Sequence, residues 1–143
     1  MSSEMESKYV IFKLDEEYYG IAIDNVLSIE KVEKVTRVPN APKYVKGVIN
    51  LRGEVIPLIN LRMRLDIELK EHDKNSRIIV VSMDDIVAGL IVDSSSEVIE
   101  IDRENIDPPP RTEGNESTEF ISGIGKTLDR LIILLDLVKV LEY

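Results

Sequence analysis

The chain has 143 residues, 43% of them hydrophobic, with no cysteine, no tryptophan, two phenylalanines and a formal net charge of −9. That size and composition give one globular domain, or two small modules sharing an aliphatic core, and they exclude disulfides, thiolate metal sites and thiol nucleophiles. The acidic surface repels nucleic-acid backbones and anionic lipids, and no Lys/Arg run offsets it.

The first residues, MSSEMESK, are polar and lack the apolar centre of a signal peptide. Residues 1–7 are expected to be a flexible N-terminus. KYVIFKL (8–14) and YYGIAI (18–23) read as strands joined by an acidic turn at Asp15, and Gly20 inside the second suggests a bulge or bend. Asp24 opens a short helical turn as its N-cap, and a strand follows to Val32. Next comes YVKGVINLRGEVIPLINL (44–61), the most apolar stretch of the chain, with an Arg-Gly pair at its middle. Residues 47–51 and 54–59 are two strands, Arg52-Gly53 is their turn, and a short amphipathic helix covers 61–66. The polar stretch DIELKEHDKNS (66–76) is a linker.

The same order then returns. KYVIFKLDEEYYGIAIDNVLSIEKV lies over RIIVVSMDDIVAGLIVDSSSEVIEI without a gap at an offset of 69, matching Asp15 with Asp84, Gly20 with Gly89 and Asp24 with Asp93, so a bulge or bend at Gly89 and an N-cap at Asp93 are expected as well. YVKGVINLRGEVIPLINLRMRL lies over FISGIGKTLDRLIILLDLVKVL at an offset of 76, matching Gly47 with Gly123 and Leu61 with Leu137. The two offsets place seven extra residues between the blocks, near Pro108-Pro109-Pro110 and RTEGNESTE. Asp136 caps a closing helix over 136–142. Two homologous β modules, 8–66 and 77–141, are therefore expected. Each has about five strands closing a small barrel, the two pack through an Ile/Val/Leu interface, and exchange of strands between them is left open.

Catalytic chemistry is hard to place. The single histidine, His72, sits in the polar linker, and Asp84-Asp85 are explained by a hairpin turn. There is no phosphate loop, zinc set or calcium loop. Nothing implies a cofactor or metal. At the turn position of Arg52-Gly53 the second module has Leu128-Asp129. The fold alone thus does not demand the arginine, which is either a solubilising charge or a partner anchor.

From Tyr9 to Leu141 the chain resembles the CheW family of chemotaxis coupling proteins. The resemblance rests on KYVKGVINLRGEVIPLINLR, with EEYYGIAIDNVLSI, GLIVDSSSEV and FISGIGK followed by RLIILLDLVKVL. It implies a mainly β fold of two pseudo-symmetric, five-stranded SH3-like barrels with short helices. It also implies a non-enzymatic adaptor that joins the cytoplasmic tip of chemoreceptors to the regulatory domain of the CheA histidine kinase. That domain is itself CheW-like, and the adaptor helps assemble the array beneath the membrane. The expected state is cytoplasmic, monomeric in isolation and without membrane insertion. By the same resemblance Ile23, Val26 and Ile29 are kinase-facing, with Val26 on an exposed turn as the foremost of the three. Gly47, Asn50, Leu51, Arg52 and Gly53 belong to the receptor-coupling surface. Two readings stand beside this one: a CheW-like regulatory module of another two-component pathway, and a small β-barrel ligand-binding protein.

Overall fold

The computed structural model describes residues 6–110 and 119–142. Eleven strands occur among them: β1 Glu6–Leu14, β2 Glu17–Ala22, β3 Val26–Lys31, β4 Val45–Leu51, β5 Glu54–Asn60, β6 Arg77–Met83, β7 Ile86–Val92, β8 Ser94–Asp102, β9 Ile106–Asp107, β10 Ile121–Lys126 and β11 Leu131–Leu135. Two single-turn helices, α1 Leu61–Arg64 and α2 Leu137–Val140, follow β5 and β11. The strands make two sheets, β8-β1-β2-β11-β10-β9 and β3-β6-β7-β5-β4. Each sheet draws its strands from both halves of the sequence. The hairpin β1–β2 completes the sheet of the second half, and β6–β7 completes that of the first.

The repeat survives in the pairing registers. Val26 pairs with Val81 and Ser28 with Val80, with an irregularity between them. Ser95 pairs with Phe12 and Glu97 with Ile11, with the irregularity at the corresponding place. The parallel contacts match too: Leu134 lies opposite Gly20, and Leu58 opposite Gly89. These two glycines were expected at bulges or bends, and no bulge occurs at either, since both sit in regular ladders. They are required for space instead. A Cβ on Gly20 would lie 2.9 Å from the Leu134 side chain, and one on Gly89 would lie 2.7 Å from both Ile78 and Leu58.

Alternation along the strands builds three cores. Ile11, Ile101, Ile132 and Leu134 fill one barrel, and Ile49, Ile56, Leu58, Ile78 and Val80 fill the other. Intervening residues such as Val10, Phe12, Ile79, Val81 and Leu90 point outward and meet between the barrels, where Leu61, Leu137 and Phe120 join them. A central strand here has no solvent face. This is why KYVIF and RIIVV read as continuous apolar runs rather than alternating ones.

The boundaries differ from the sequence reading in three places. Glu6 and Ser7 are already in β1, paired with Asp102 and Ile101. No helical turn follows Asp93, because β8 starts at Ser94. In the turn Ile23–Asn25 the cap position belongs to Ala22, without a side-chain hydrogen bond. The linker is also pinned: the Ile67 amide donates to the Arg62 carbonyl at 2.7 Å, and the Ser76 amide to the Asp73 carbonyl at 3.1 Å. RTEGNESTE, apart from Glu119, lies outside the described residues. Asp136 caps α2 as expected, accepting from the amides of Val138 and Lys139.

Candidate functional site

The barrel containing β3 and β4 is open along one side. Those strands are the two edges of its sheet, and the segment after β3 meets β4 in a bridge between Thr36 and Val48. Gly47 lets the crossing occur. A Cβ there would stand 2.3 Å from the Thr36 carbonyl oxygen, so no side chain fits. Gly47 is buried, at the point where the barrel closes.

Two grooves run along the seam, one on either side of Leu51. Lys31, Lys34 and Asn50 line the first, with Ile49 and Ile78 of the barrel core at its floor. Leu27, Arg52 and Glu54 line the second, over Ile56 and Val80. Leu27 is 60% exposed and Val55 is 70% exposed. The interior of the barrel thus reaches the surface beside the residues expected to couple receptors.

The β4–β5 turn presents Arg52 rigidly. Arg52 and Gly53 have φ of 52° and 88°, as a tight hairpin of right-twisted strands requires. Asn50 holds the turn, its Oδ1 accepting from the Gly53 amide at 3.0 Å. Positive φ is natural for glycine and strained for arginine, so glycine would be the cheaper residue at position 52. The guanidinium is largely exposed and lies 3.6 Å from Glu30 on β3, across the seam. Asn50, Leu51, Arg52 and Gly53 are therefore one continuous surface.

Ile23, Val26 and Ile29 lie on the same barrel, along the turn Ile23–Asn25 and β3. Ile23 and Ile29 are exposed, at 37% and 43%. Val26 differs from the expectation: it begins β3 rather than riding an exposed turn, and it packs half-buried against the central core. Its pairing with Val81 turns the side chain inward.

Arg62, which the sequence reading passed over, is the most heavily bonded charge. It is 6% exposed. Nε and Nη2 donate to the two oxygens of Asp93 at 3.2 and 2.6 Å. Nη2 also reaches Asp15 at 2.6 Å, and Nη1 the Glu68 carbonyl at 2.7 Å. Asp93 in turn accepts the Asp15 amide at 2.7 Å and lies 3.7 Å from Lys70. Burial pushes the Asp93 carboxyl up, but the hydrogen bonds from Arg62 and the Asp15 amide outweigh it and hold it below the usual value. The Asp93 hydrogen bond raises the Arg62 guanidinium further above its already high range. This cluster ties α1 to the β1–β2 turn of the other barrel. Its signal in the sequence was an arginine inside INLRMRL, at a position that holds Val138 in the repeat.

His72 is exposed, with Nδ1 3.4 Å from Lys46 Nζ. Among the described residues there is no group of three His, Cys, Asp or Glu placed to hold a metal, and no helix is long and apolar enough to cross a membrane.

Residues 8–143 match the CheW-like domain. The chemotaxis protein CheW of Bacillus subtilis is 37% identical over 144 residues, covering 99% of this chain and 92% of that protein. The Helicobacter pylori chemotaxis protein CheW is 39% identical over 135 residues, covering 94% of this chain and 81% of that protein. The crystal structure of the scaffolding protein TtCheW from Thermoanaerobacter tengcongensis superposes with a TM-score of 0.89 at 42% identity, covering 97% of this chain and 94% of that one. Two barrels with registers repeated strand for strand, a rigid NLRG turn and a near full-length match agree: the chain belongs to the CheW family, the non-enzymatic scaffolding and coupling proteins of chemotaxis.

Proposed function

We propose that this protein couples the cytoplasmic tip of chemoreceptors to the regulatory domain of the CheA histidine kinase, working in the cytoplasm at the receptor array. Two groups of residues on one barrel support this reading. Ile23 and Ile29 expose apolar area on one elongated face, with Val26 anchoring the strand beneath them. Asn50, Leu51, Arg52 and Gly53 form the other, over a groove whose apolar floor suits one face of a receptor helix. Gly47 serves this second surface by closing the barrel behind it. A protein that holds two partners at once needs two such faces on a stiff body.

The strained arginine carries the assignment. A left-handed φ at a non-glycine residue costs about 1–3 kcal/mol and persists where function requires it. The test is calorimetric binding to the regulatory domain of a CheA kinase and to a receptor-tip fragment. Because Val26 packs on the core, Ile29→Glu is the cleaner probe of the kinase face, with Arg52→Ala for the receptor face. Ile29→Glu is expected to weaken kinase binding alone, and Arg52→Ala receptor binding alone. If the folded wild-type protein bound neither fragment, the adaptor reading would be wrong.

A further inference from the structure

The groove over Ile56 and Val80 has a counterpart in the second barrel, and the chain itself covers only one of the two. Ser28, Glu54 and Val87 line it together with Leu27 and Arg52. The offset of 69 carries Ser28 onto Glu97 and Val87 onto Tyr18, and the offset of 76 carries Glu54 onto Arg130. The floor pair Val80 and Ile56 falls on Ile11 and Ile132. The structure brings these counterparts into one place too. Ile11 and Ile132 lie in the core of the second barrel with Tyr18 packed against them, and Tyr18 pairs with Ile132. The Arg130 guanidinium lies 4.3 Å from the centre of the Tyr18 ring and donates to Glu97, and its side chain is only 22% exposed. A ring and a stacked arginine, held by a carboxylate, thus cover the core there.

The first barrel has the same floor without the cover. Val87 stands in place of the ring, and Glu54, exposed and anionic, stands in place of the arginine. Ile56 and Val80 therefore floor an open groove of about 210 Å³. That is below the roughly 300–1,000 Å³ of small-molecule sites and suits a single side chain. Leu27 stands at its edge. It is the residue bulged out between Val26 and Ser28, and it is 60% exposed. The repeat has Ser96 at the corresponding bulge, so the bulge itself does not call for leucine. An apolar floor and wall, ringed by Arg52 and Glu54, have the form of an anchor pocket.

We infer that this groove takes one bulky apolar side chain, aromatic or branched, from a helix of the receptor tip, and that Leu27 is the wall that selects it. The inference rests on the adaptor reading and narrows it, because Arg52 of the receptor surface lines the same groove. A helix laid along the seam offers such anchors three or four residues apart. The receptor side chain covers Ile56 and Val80 in trans, as Tyr18 covers Ile11 and Ile132 in cis.

The test titrates a receptor-tip fragment, and separately the kinase regulatory domain, into wild type and three variants. Leu27→Ser installs the residue of the repeat and changes no charge. It is expected to weaken receptor binding about five- to tenfold and kinase binding by less than about twofold. Leu69→Ser makes the same change at a leucine 56% exposed in the linker, and is expected to alter neither by more than about twofold. The triple variant Ser28→Glu, Glu54→Arg, Val87→Tyr transplants the cover of the second barrel. It is expected to melt no lower than wild type and to lose receptor binding at least about tenfold while it keeps the kinase. If circular dichroism shows the triple variant unfolded, Leu27→Ser decides alone. A folded triple variant that binds receptor like wild type overturns the inference. So does a Leu27→Ser loss no larger than that of Leu69→Ser, or one that falls equally on the kinase. The adaptor reading stands in all three cases. A folded wild type that binds no receptor fragment overturns the adaptor reading and the occupant named here with it.

Discussion

Arg52 and Arg62 are ten positions apart and work in opposite senses. Arg52 is largely exposed, strained and weakly paired, since a contact of 3.6 Å between partly exposed groups contributes under about 1 kcal/mol. The backbone strain outweighs that pair. Arg52→Gly is therefore expected to raise stability by about 1 kcal/mol in urea unfolding while weakening receptor coupling. A glycine variant that is less stable would show that the ion pair outweighs the strain. Arg62 is the reverse case. Removing it strands Asp93 beneath the surface, so Arg62→Ala is expected to cost about 2 kcal/mol, less than a fully enclosed pair because Asp15 remains half exposed. The pH dependence has a definite sign. The folded pKa of Asp93 is lowered, so its contribution is complete above the ordinary aspartate value of about 3.9 and fades as pH falls from there through the lower folded value. Acid unfolding curves of wild type and Asp93→Asn should therefore be fully separated above about pH 4 and converge as pH falls below it.

Among the elements, hairpins were the most legible in the sequence and edges the least. Asp15, Asp84 and Arg52-Gly53 marked turns because few residue types tolerate those backbone angles, and the structure has turns at all three. Asp136 marked a helix start through its side-chain oxygen. Asp93 carried the same cap signal and does something else, because a buried guanidinium offers it stronger bonds than a helix end does. Val26 was misplaced for a related reason: an apolar residue after a polar pair looks like a turn until its cross-strand neighbour, Val81, is known. The closure of the seam was hidden altogether. Gly47 stood out only as one glycine in an apolar strand, yet it lies where the segment after β3 crosses β4. Gly47→Ala is expected to break the bridge between Thr36 and Val48, to lower stability by about 1–3 kcal/mol and to disturb receptor coupling. An alanine variant with an unchanged melting temperature would contradict that account.

For the molecule as a whole, the duplication was legible and the exchange of hairpins was not. β1 pairs with β8, whereas its repeat β6 pairs with β3. A pairing of β1 with β3 and β6 with β8 would set equivalent residues side by side in the same registers. Apolar periodicity cannot separate the two arrangements, because the matched strands offer the same faces. The consequence for stability is clear. Neither 1–66 nor 77–143 contains every strand of a barrel, so each half expressed alone is expected to lack the β-sheet circular dichroism of the whole. Mixing the halves should restore it. A half that folded cooperatively by itself would argue for barrels that do not depend on one another.

That exchange also fixes the order of events on the ribosome. β1 and β2 emerge first, yet their neighbours in the finished sheet are β8 and β11, the latter ending at Leu135. At about 5–20 residues per second the wait lasts on the order of ten seconds. Through that interval Val10, Phe12, Tyr19 and Ile21, all buried at the end, have no sheet to join. The nascent chain is exposed to mispairing with its own repeat and with neighbouring chains until synthesis passes Leu135, whereas the sheet that holds β6 and β7 has all its strands once Val92 is made.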